Sequence, residues 1–341
     1  MARTQFSVGS FNLYNLQRAG LPLYFNTTPW TQAEYDRKVA WAGRMLARKP
    51  ADVWGFQELW HGEALDDVLA AAGLTAGYTP LVPQGHAGGR IVCAGAVRSD
   101  ILVGDADWIE DFPGDFVLES GGGGDPQAAA IRVTIDSFSR PVLHFTVRPR
   151  TNGKLIHCYV CHFKSKMPTR VFNEPWYSAQ TYSRHSEALG SAISTIRRTA
   201  EAAALRMILT ERMKGTDTPV VVLGDLNDSQ LSNTLNILTG QPNYILSGLS
   251  QGGSDVDLYT VGSLQEYRSM RDVYYTHVHQ NVKESLDHVL VSQEFYDNSR
   301  KRVWAFKGMD LANDHLNEED HKAAGSTDHG LVRARFEYRP A

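Results

Sequence analysis

Apolar positions along this chain come in short bursts, and most of the bursts read as strands. Residues 5–13 alternate loosely and carry Val and Phe, as a half-buried strand does. Over 31–49 the period changes: Tyr35, Val39, Trp41, Met45 and Leu46 recur at helical spacing, and Pro50 closes the segment. A short buried strand is predicted at 51–57 and a helix at 63–72. Further strands are expected at 78–82, 90–97, 131–135, 142–147 and 154–163. From 164 to 183 the pattern gives way to a stretch rich in Pro and aromatics. The run RRTAEAAALRMILTERM is made of strong helix formers, which places the longest helix at 184–213. PVVVL at 219–223 has the composition of a strand buried on both faces. Strands at 285–292 and 330–338 complete the pattern, and ESGGGGD at 119–125 reads as a flexible loop tip. With no fixed-period repeat and no long linker, residues 1–341 read as a single domain. Many strands, fewer helices and several hairpin-like neighbours predict an α/β (α+β) fold with mixed sheets.

Composition narrows the field. Of the 341 residues 42% are hydrophobic and 21% charged, ordinary values for a globular chain. The net charge of −4 gives no global pull toward a polyanion, so such a substrate needs a local patch or a metal. No run reaches the roughly 18 apolar residues of a membrane span. The first residues, MARTQFSVGSFNL, contain no apolar leader core, which predicts a cytoplasmic protein; a chain whose leader had been removed would read the same. Three cysteines make no disulfide framework. Cys158, Cys161 and His162 spell C-x-x-C-H, the pattern of a haem tether. On a strand, however, Cys158 and Cys161 are an odd step apart and point to opposite faces, so no haem is expected there.

The chemistry lies where apolar strands end. SVGSFN delivers Asn12, VWGFQE delivers Gln57 and Glu58, and CYVCH delivers His162. VVVLGDLN delivers Asp225 and Asn227, ESLD places Asp287, and STDH delivers Asp328 and His329 before the last strand. Singly, each is an ordinary turn or capping residue. Together they supply carboxylate oxygens for a hard cation, two histidines and two amides. That is the kit for metal-assisted hydrolysis of a phosphoric ester. The metal neutralises phosphate charge, an acid takes a proton from water, and donors hold the developing charge.

In this order, Asn12, Gln57-Glu58, His162, Asp225-x-Asn227, Asp287 and Asp328-His329 resemble the endonuclease/exonuclease/phosphatase superfamily, nearest to its bacterial nuclease-like members. The resemblance runs from about residue 6 to 337. It implies a four-layer sandwich, two mixed β-sheets packed face to face with helices outside. It implies Mg²⁺, or Mn²⁺, as the cofactor. Glu58 would be the main metal ligand, with Asn12 beside it and Asp328 on the same or a second ion. Asp225 would orient or deprotonate the attacking water, positioned by Asn227. His162 and His329 would donate to phosphate oxygens, and Asp287 would fix the His329 imidazole. FSRPVLHFTV resembles the family strand that carries an arginine near phosphate, here Arg140. His288, beside Asp287, faces the other way and reads as packed; Asp228 is left outside the set.

Two loops stand apart. In 164–183, Lys164, Lys166 and Arg170 could hold phosphate and Trp176, Tyr177 and Tyr182 could cover a substrate, or the aromatics could pack on the surface. Arg184 and His185 follow. In 313–327 an acidic, His-rich stretch could contribute Asp314, His315 or His321 to a second metal, but reads better as a solvated loop. The expected function is a Mg²⁺-dependent phosphodiester hydrolase, a nuclease cutting DNA or RNA. The alternative is a phosphatase or phosphodiesterase on a small ester such as a phosphoinositide, a phospholipid headgroup or a nucleotide.

Overall fold

A computed structural model describes residues 4–121, 129–240, 256–266, 275–279, 282–317 and 320–341. The first sheet comprises β1 (Gln5–Leu16), β2 (Val53–His61), β3 (Tyr78–Leu81), β4 (Ala87–Arg98), β15 (Trp304–Ala312) and β16 (Leu331–Tyr338). The second comprises β5 (Leu102–Asp111), β8 (Ser137–Val147), β9 (Ile156–His162), β10 (Val220–Asp225), β11 (Tyr259–Thr260) and β14 (Asp287–Val291). Two hairpins, β6 (Leu118–Ser120) with β7 (Ile131–Val133) and β12 (His277–His279) with β13 (Val282–Glu284), stand outside them. The strand orders are β15-β16-β1-β2-β4-β3 and β11-β14-β10-β9-β8-β5. β1–β2 and β9–β10 are parallel and the other pairs antiparallel, so both sheets are mixed.

Alternation along the strands builds the layers. Cys158 and Val160 point between the sheets with Val8, Val53, Val221, Leu223 and Phe336. Tyr159 and Cys161 point outward, into a second core with Leu205, Leu209, Leu235 and Leu238. Those leucines come from α4 (Ser186–Met213) and α5 (Asn233–Thr239), which follow the short α3 (Ala179–Tyr182). On the other outer face, α1 (Gln32–Arg48) and α2 (Gly62–Ala71) bury Leu46, Leu65 and Val68 against Phe11, Trp54 and Phe56. Each such aliphatic side chain contributes roughly 1.5–3 kcal/mol on burial. Helix α1 starts where it does because of a capping box: Thr31 Oγ1 accepts from the Glu34 N–H and Glu34 Oε2 accepts from the Thr31 N–H. The sheets approach closely at Gly55, where a Cβ would lie 2.9 Å from Val160 Cγ2 and 3.2 Å from Leu223 Cβ. The four-layer sandwich expected from the resemblance is the one observed.

Several boundaries differ from expectation. β5 lies at an edge of its sheet, is half-exposed and spells LVGDADWIED, so it lacks an apolar signal. β15 was hidden because a register shift between Phe306 and Gly308 breaks its alternation. The strand predicted at 142–147 begins at Ser137, and Pro141 falls where the β5–β8 register shifts. Helix α4 begins at Ser186, after Arg184 and His185. Of the predicted 119–125 loop, residues 122–125 lie outside the described residues, as do 318–319 of the acidic loop. Among the described residues no helix is long and apolar enough to cross a membrane.

Candidate active site

Strand pairing alone gathers three of the predicted residues. Asp225, the last residue of β10, sits opposite His162 on β9 and opposite Asp287 on β14. Gly224 permits this approach: with φ +149°, it would place a Cβ 2.0 Å from the Cys161 carbonyl oxygen. The first sheet reaches the same end of the sandwich through two irregularities. The β1–β2 register shifts after Asn12, and the β2–β4 register shifts between Phe56 and Leu59. Glu58 lies inside the second shift with φ +61°, and Tyr14 and Asn15 lie inside the first with φ +51° and +52°. Asn227 has φ +54°. Left-handed backbone at non-glycine residues is costly and is held only where the surroundings over-determine it. Here Asn15 N–H donates to Glu58 Oε2 (2.9 Å) and Tyr14 N–H to Asn12 Oδ1 (2.9 Å).

Asp225 Oδ2 is the hub. Asn12 Nδ2 donates to it across the two sheets at 3.1 Å, His162 Nε2 lies 3.6 Å away and His329 Nε2 3.7 Å away. Its other oxygen accepts from the Asn227 N–H at 2.9 Å. Glu58 Oε1 accepts from Asn12 Nδ2 at 3.3 Å and stands 4.0 Å from His162 Nε2. His329 Nδ1 meets Asp287 Oδ2 at 2.8 Å, so that nitrogen carries the proton. The dyad is held from behind. Thr276 Oγ1 accepts from the N–H groups of Leu286 and Asp287, and His315 Nε2 donates to the His329 carbonyl. Thr327 Oγ1 donates to the Asn12 carbonyl and accepts from the His329 N–H.

Burial and crowding set the protonation states. Burial pushes the Glu58 carboxyl upward, and Asp328 adds to it. Asp225 is pushed up to about 7 by burial, with Asp287 and Glu58 adding and His329 opposing. Burial opposes charge on His329, but Asp287 and Asp225 outweigh it and hold the imidazole protonated well above its usual range. His162 goes the other way: burial, then Arg140 and His329, keep it neutral. Crowded, desolvated carboxylates of this kind are relieved by a cation. Asp225, Asp287 and His329 offer ligand atoms within 4.8 Å of one another, as do His277, Asp328 and His329. Asp287 Oδ1 is buried without a hydrogen-bond partner. Glu58, on which the Asp328 charge acts, adds a further carboxylate beside these, and carboxylate oxygens suit a hard divalent ion.

Not every predicted residue joins the cluster. Arg140 Nη1 donates to the Phe163 carbonyl at 3.2 Å, just beyond His162, and its charge acts on Glu58 and His162. Asn12 turns its amide nitrogen to the carboxylates, so its oxygen faces a cation only after the amide turns over. Asn227 Nδ2 also donates to the Phe163 carbonyl. Lys166 Nζ is tied to Glu284 (2.7 Å), with Asp228 at 3.8 Å, and Lys164 Nζ donates to the Met167 carbonyl. Neither ammonium group is gathered with the carboxylates. His288 is packed, its Nε2 donating to the Asp228 carbonyl. His321 bonds Ser326 Oγ, and Trp176, Tyr177 and Tyr182 pack on one another.

Other contributors carried no sequence signal. Lys38 is fully buried, and its Nζ donates to the Ser326 carbonyl at 2.6 Å. Glu201 accepts from the N–H groups of Ser139 and Lys164, which flank Arg140 and His162. Thr276, Thr327 and Tyr14 are likewise unremarkable in sequence; only Asn15, a residue that tolerates left-handed backbone, offered a hint.

The sequence model described as "Endonuclease/Exonuclease/phosphatase family" matches residues 9–329. Among curated proteins, none matches the sequence significantly. Solved structures share the fold. An endonuclease/exonuclease/phosphatase from Bacteroides vulgatus is 11% identical with a TM-score of 0.54, covering 99% of this chain and 100% of its own. The human Nocturnin catalytic domain with bound sulfate is 16% identical with a TM-score of 0.55, covering 98% and 95%. A mannosyl-6-phosphatase from Bacteroides thetaiotaomicron is 15% identical with a TM-score of 0.50, covering 98% and 100%.

Proposed function

The chain belongs to the endonuclease/exonuclease/phosphatase family of phosphoric ester hydrolases, and within it we propose a divalent-metal-dependent phosphodiesterase that cuts nucleic acid. The observation that carries this reading is the Asp225 carboxylate, raised to about 7 and surrounded by His162, His329 and Asn12. Glu58 and Asp328 would hold the metal, Mg²⁺ or Mn²⁺, with Asn12 joining through its turned amide. A bound ion supplies charge neutralisation at the phosphate.

The chain's own groups do the rest. Asp225, poised near neutrality, takes a proton from water as the water oxygen bonds to phosphorus. Asn227 N–H holds the Asp225 carboxylate for this step. The P–O ester bond breaks, and the leaving oxygen takes the proton of His329 Nε2. Asp287 keeps that imidazole oriented and charged. His162, neutral, donates to a non-bridging phosphate oxygen, and Arg140 adds positive charge beside it. A phosphomonoester and an alcohol result.

One observation favours a small ester instead: Lys166 already pairs with Glu284, leaving less cation to track a polymer. A cleavage panel separates the readings. Plasmid, single-stranded DNA, RNA and bis-p-nitrophenyl phosphate are each incubated with Mg²⁺, using wild type and Asp225→Ala. Metal-dependent cutting of a polymer by wild type alone supports the nuclease. Cleavage of the small ester with every polymer intact moves the protein to the small-ester branch.

A further inference from the structure

The segment between β1 and α1 is irregular yet tied down at several points. Gly20 N–H donates to the Trp30 carbonyl, Leu21 N–H to the Arg18 carbonyl, and Thr27 N–H to the Tyr24 carbonyl. Asn26 closes the last turn with φ +67°. This segment presents Tyr24. Its ring packs edge-on against Trp60 with centroids 4.9 Å apart. Burial raises the pKa of its hydroxyl, and the charges of Glu58 and Arg140 both act on it.

Both neighbours belong to the site. Trp60 is buried, and its Nε1 donates to Asn15 Oδ1, while the Asn15 N–H holds Glu58. Arg140 donates to the carbonyl of Phe163, the residue after His162. Tyr24 therefore packs on the Glu58 side of the cleft, within electrostatic reach of Arg140 beside His162. Even so, the residue remains 46% exposed, and Phe25 beside it is 83% exposed. A solvent-facing surface has no need of an aromatic ring fixed in place beside a phosphate site and left open. A ring held by a turn and an edge contact loses little further freedom when a planar group lies on it.

We propose that Tyr24 is a stacking platform for the nucleobase next to the scissile phosphate, which makes the enzyme selective for base-bearing phosphodiesters. The inference rests on the nuclease reading and deepens it, naming what the site recognises beyond phosphate. Stacking of one base on an aromatic side chain, removed by alanine, is worth roughly 5- to 150-fold in binding, equivalent to about 1–3 kcal/mol.

The test compares two oligonucleotides that differ only in one base. In the second, the nucleotide beside the cleaved bond carries an abasic tetrahydrofuran residue. Wild type, Tyr24→Ala and Tyr24→Phe are assayed on both with Mg²⁺. The expected result is a wild-type kcat/KM that favours the base-bearing oligonucleotide by 5-fold or more, mainly through KM. Tyr24→Ala abolishes that preference, and Tyr24→Phe, which keeps the ring and loses the hydroxyl, retains it. Equal cutting of the two oligonucleotides by wild type overturns the platform while leaving the nuclease reading intact. So does a preference that survives in Tyr24→Ala, or one lost equally in Tyr24→Phe, which would assign the effect to the hydroxyl. Failure of wild type to cut either oligonucleotide under conditions where it cleaves bis-p-nitrophenyl phosphate overturns the nuclease reading and the platform with it.

Discussion

Lys38→Met separates what the fold tolerates from what the site needs. Lys38 is fully buried on α1, its Nζ bonded to the Ser326 carbonyl and lying 5.5 Å from the Tyr14 ring centroid and 5.6 Å from that of Trp41. Burial pushes its pKa down to about 7, although Asp328 and Glu58 pull the other way. In the unfolded chain the group titrates near 10.4. Between these values the unfolded chain holds a proton that the folded protein has released, so wild-type stability rises with pH across the window from about 7 to 10. Methionine has no proton to release. The stability of wild type relative to Lys38→Met therefore grows by about 2 kcal/mol between pH 7 and pH 9, at up to about 1.4 kcal/mol per pH unit. At pH 7 the variant escapes the cost of burying the charge but loses a charged hydrogen bond worth roughly 1.5–3 kcal/mol, so the two proteins lie close together there. Urea unfolding followed by tryptophan fluorescence in EDTA, at pH 7 and pH 9, reads the difference. A gap that is the same at both values refutes the reasoning. Turnover falls in the variant wherever stability is kept, because the 325–329 turn carries Thr327, Asp328 and His329.

Other expectations follow from single contacts. Asp287→Asn removes the anion that holds His329 charged, so kcat falls by about 10²–10⁴-fold and the alkaline limb of the pH–rate profile moves to lower pH, with little change in KM. Gly55→Val drives a side chain into Val160 and Leu223 and lowers the urea unfolding free energy by about 1–3 kcal/mol or more. Burial, with Arg212 and His144, pushes His157 down to about 4, so the unfolded chain gains a proton that the folded protein refuses as pH falls from about 6.5. Wild type therefore loses stability from pH 7 to pH 5, and His157→Gln loses less, read as urea midpoints.

What could be read from the chain depended on whether a regular strand carried the signal. His162, Asp225 and Asp287 end or begin strands of strong composition, and ordinary pairing register brings them together. Glu58 was visible as the acid at a strand end, but the bulge and left-handed backbone that aim it were not, because VWGFQELW reads as an unbroken apolar strand. Lys38 sits in an amphipathic helix at a position any exposed lysine could occupy; only tertiary packing against the 325–329 turn buries it. Lys164 and Lys166 looked like phosphate holders by proximity in sequence, yet Glu284, 118 residues after Lys166, claims one of them. Long-range pairing of this kind leaves no local trace. The edge strand β5 and the bulged β15 escaped for the opposite reason, since exposure and a register shift erased the alternation that marks a strand.

The central claim is that the Asp225 cluster hydrolyses a phosphoric ester with the help of a divalent ion. The most direct measurement is the release of p-nitrophenol from bis-p-nitrophenyl phosphate by wild type, Asp225→Asn and Glu58→Gln, each with Mg²⁺ and with EDTA. Wild type is expected to turn the ester over, EDTA to abolish that turnover and added Mg²⁺ to restore it. Asp225→Asn is expected to lose turnover at any Mg²⁺ concentration, and Glu58→Gln to need more Mg²⁺. Turnover that persists in EDTA, or in Asp225→Asn, would contradict the claim.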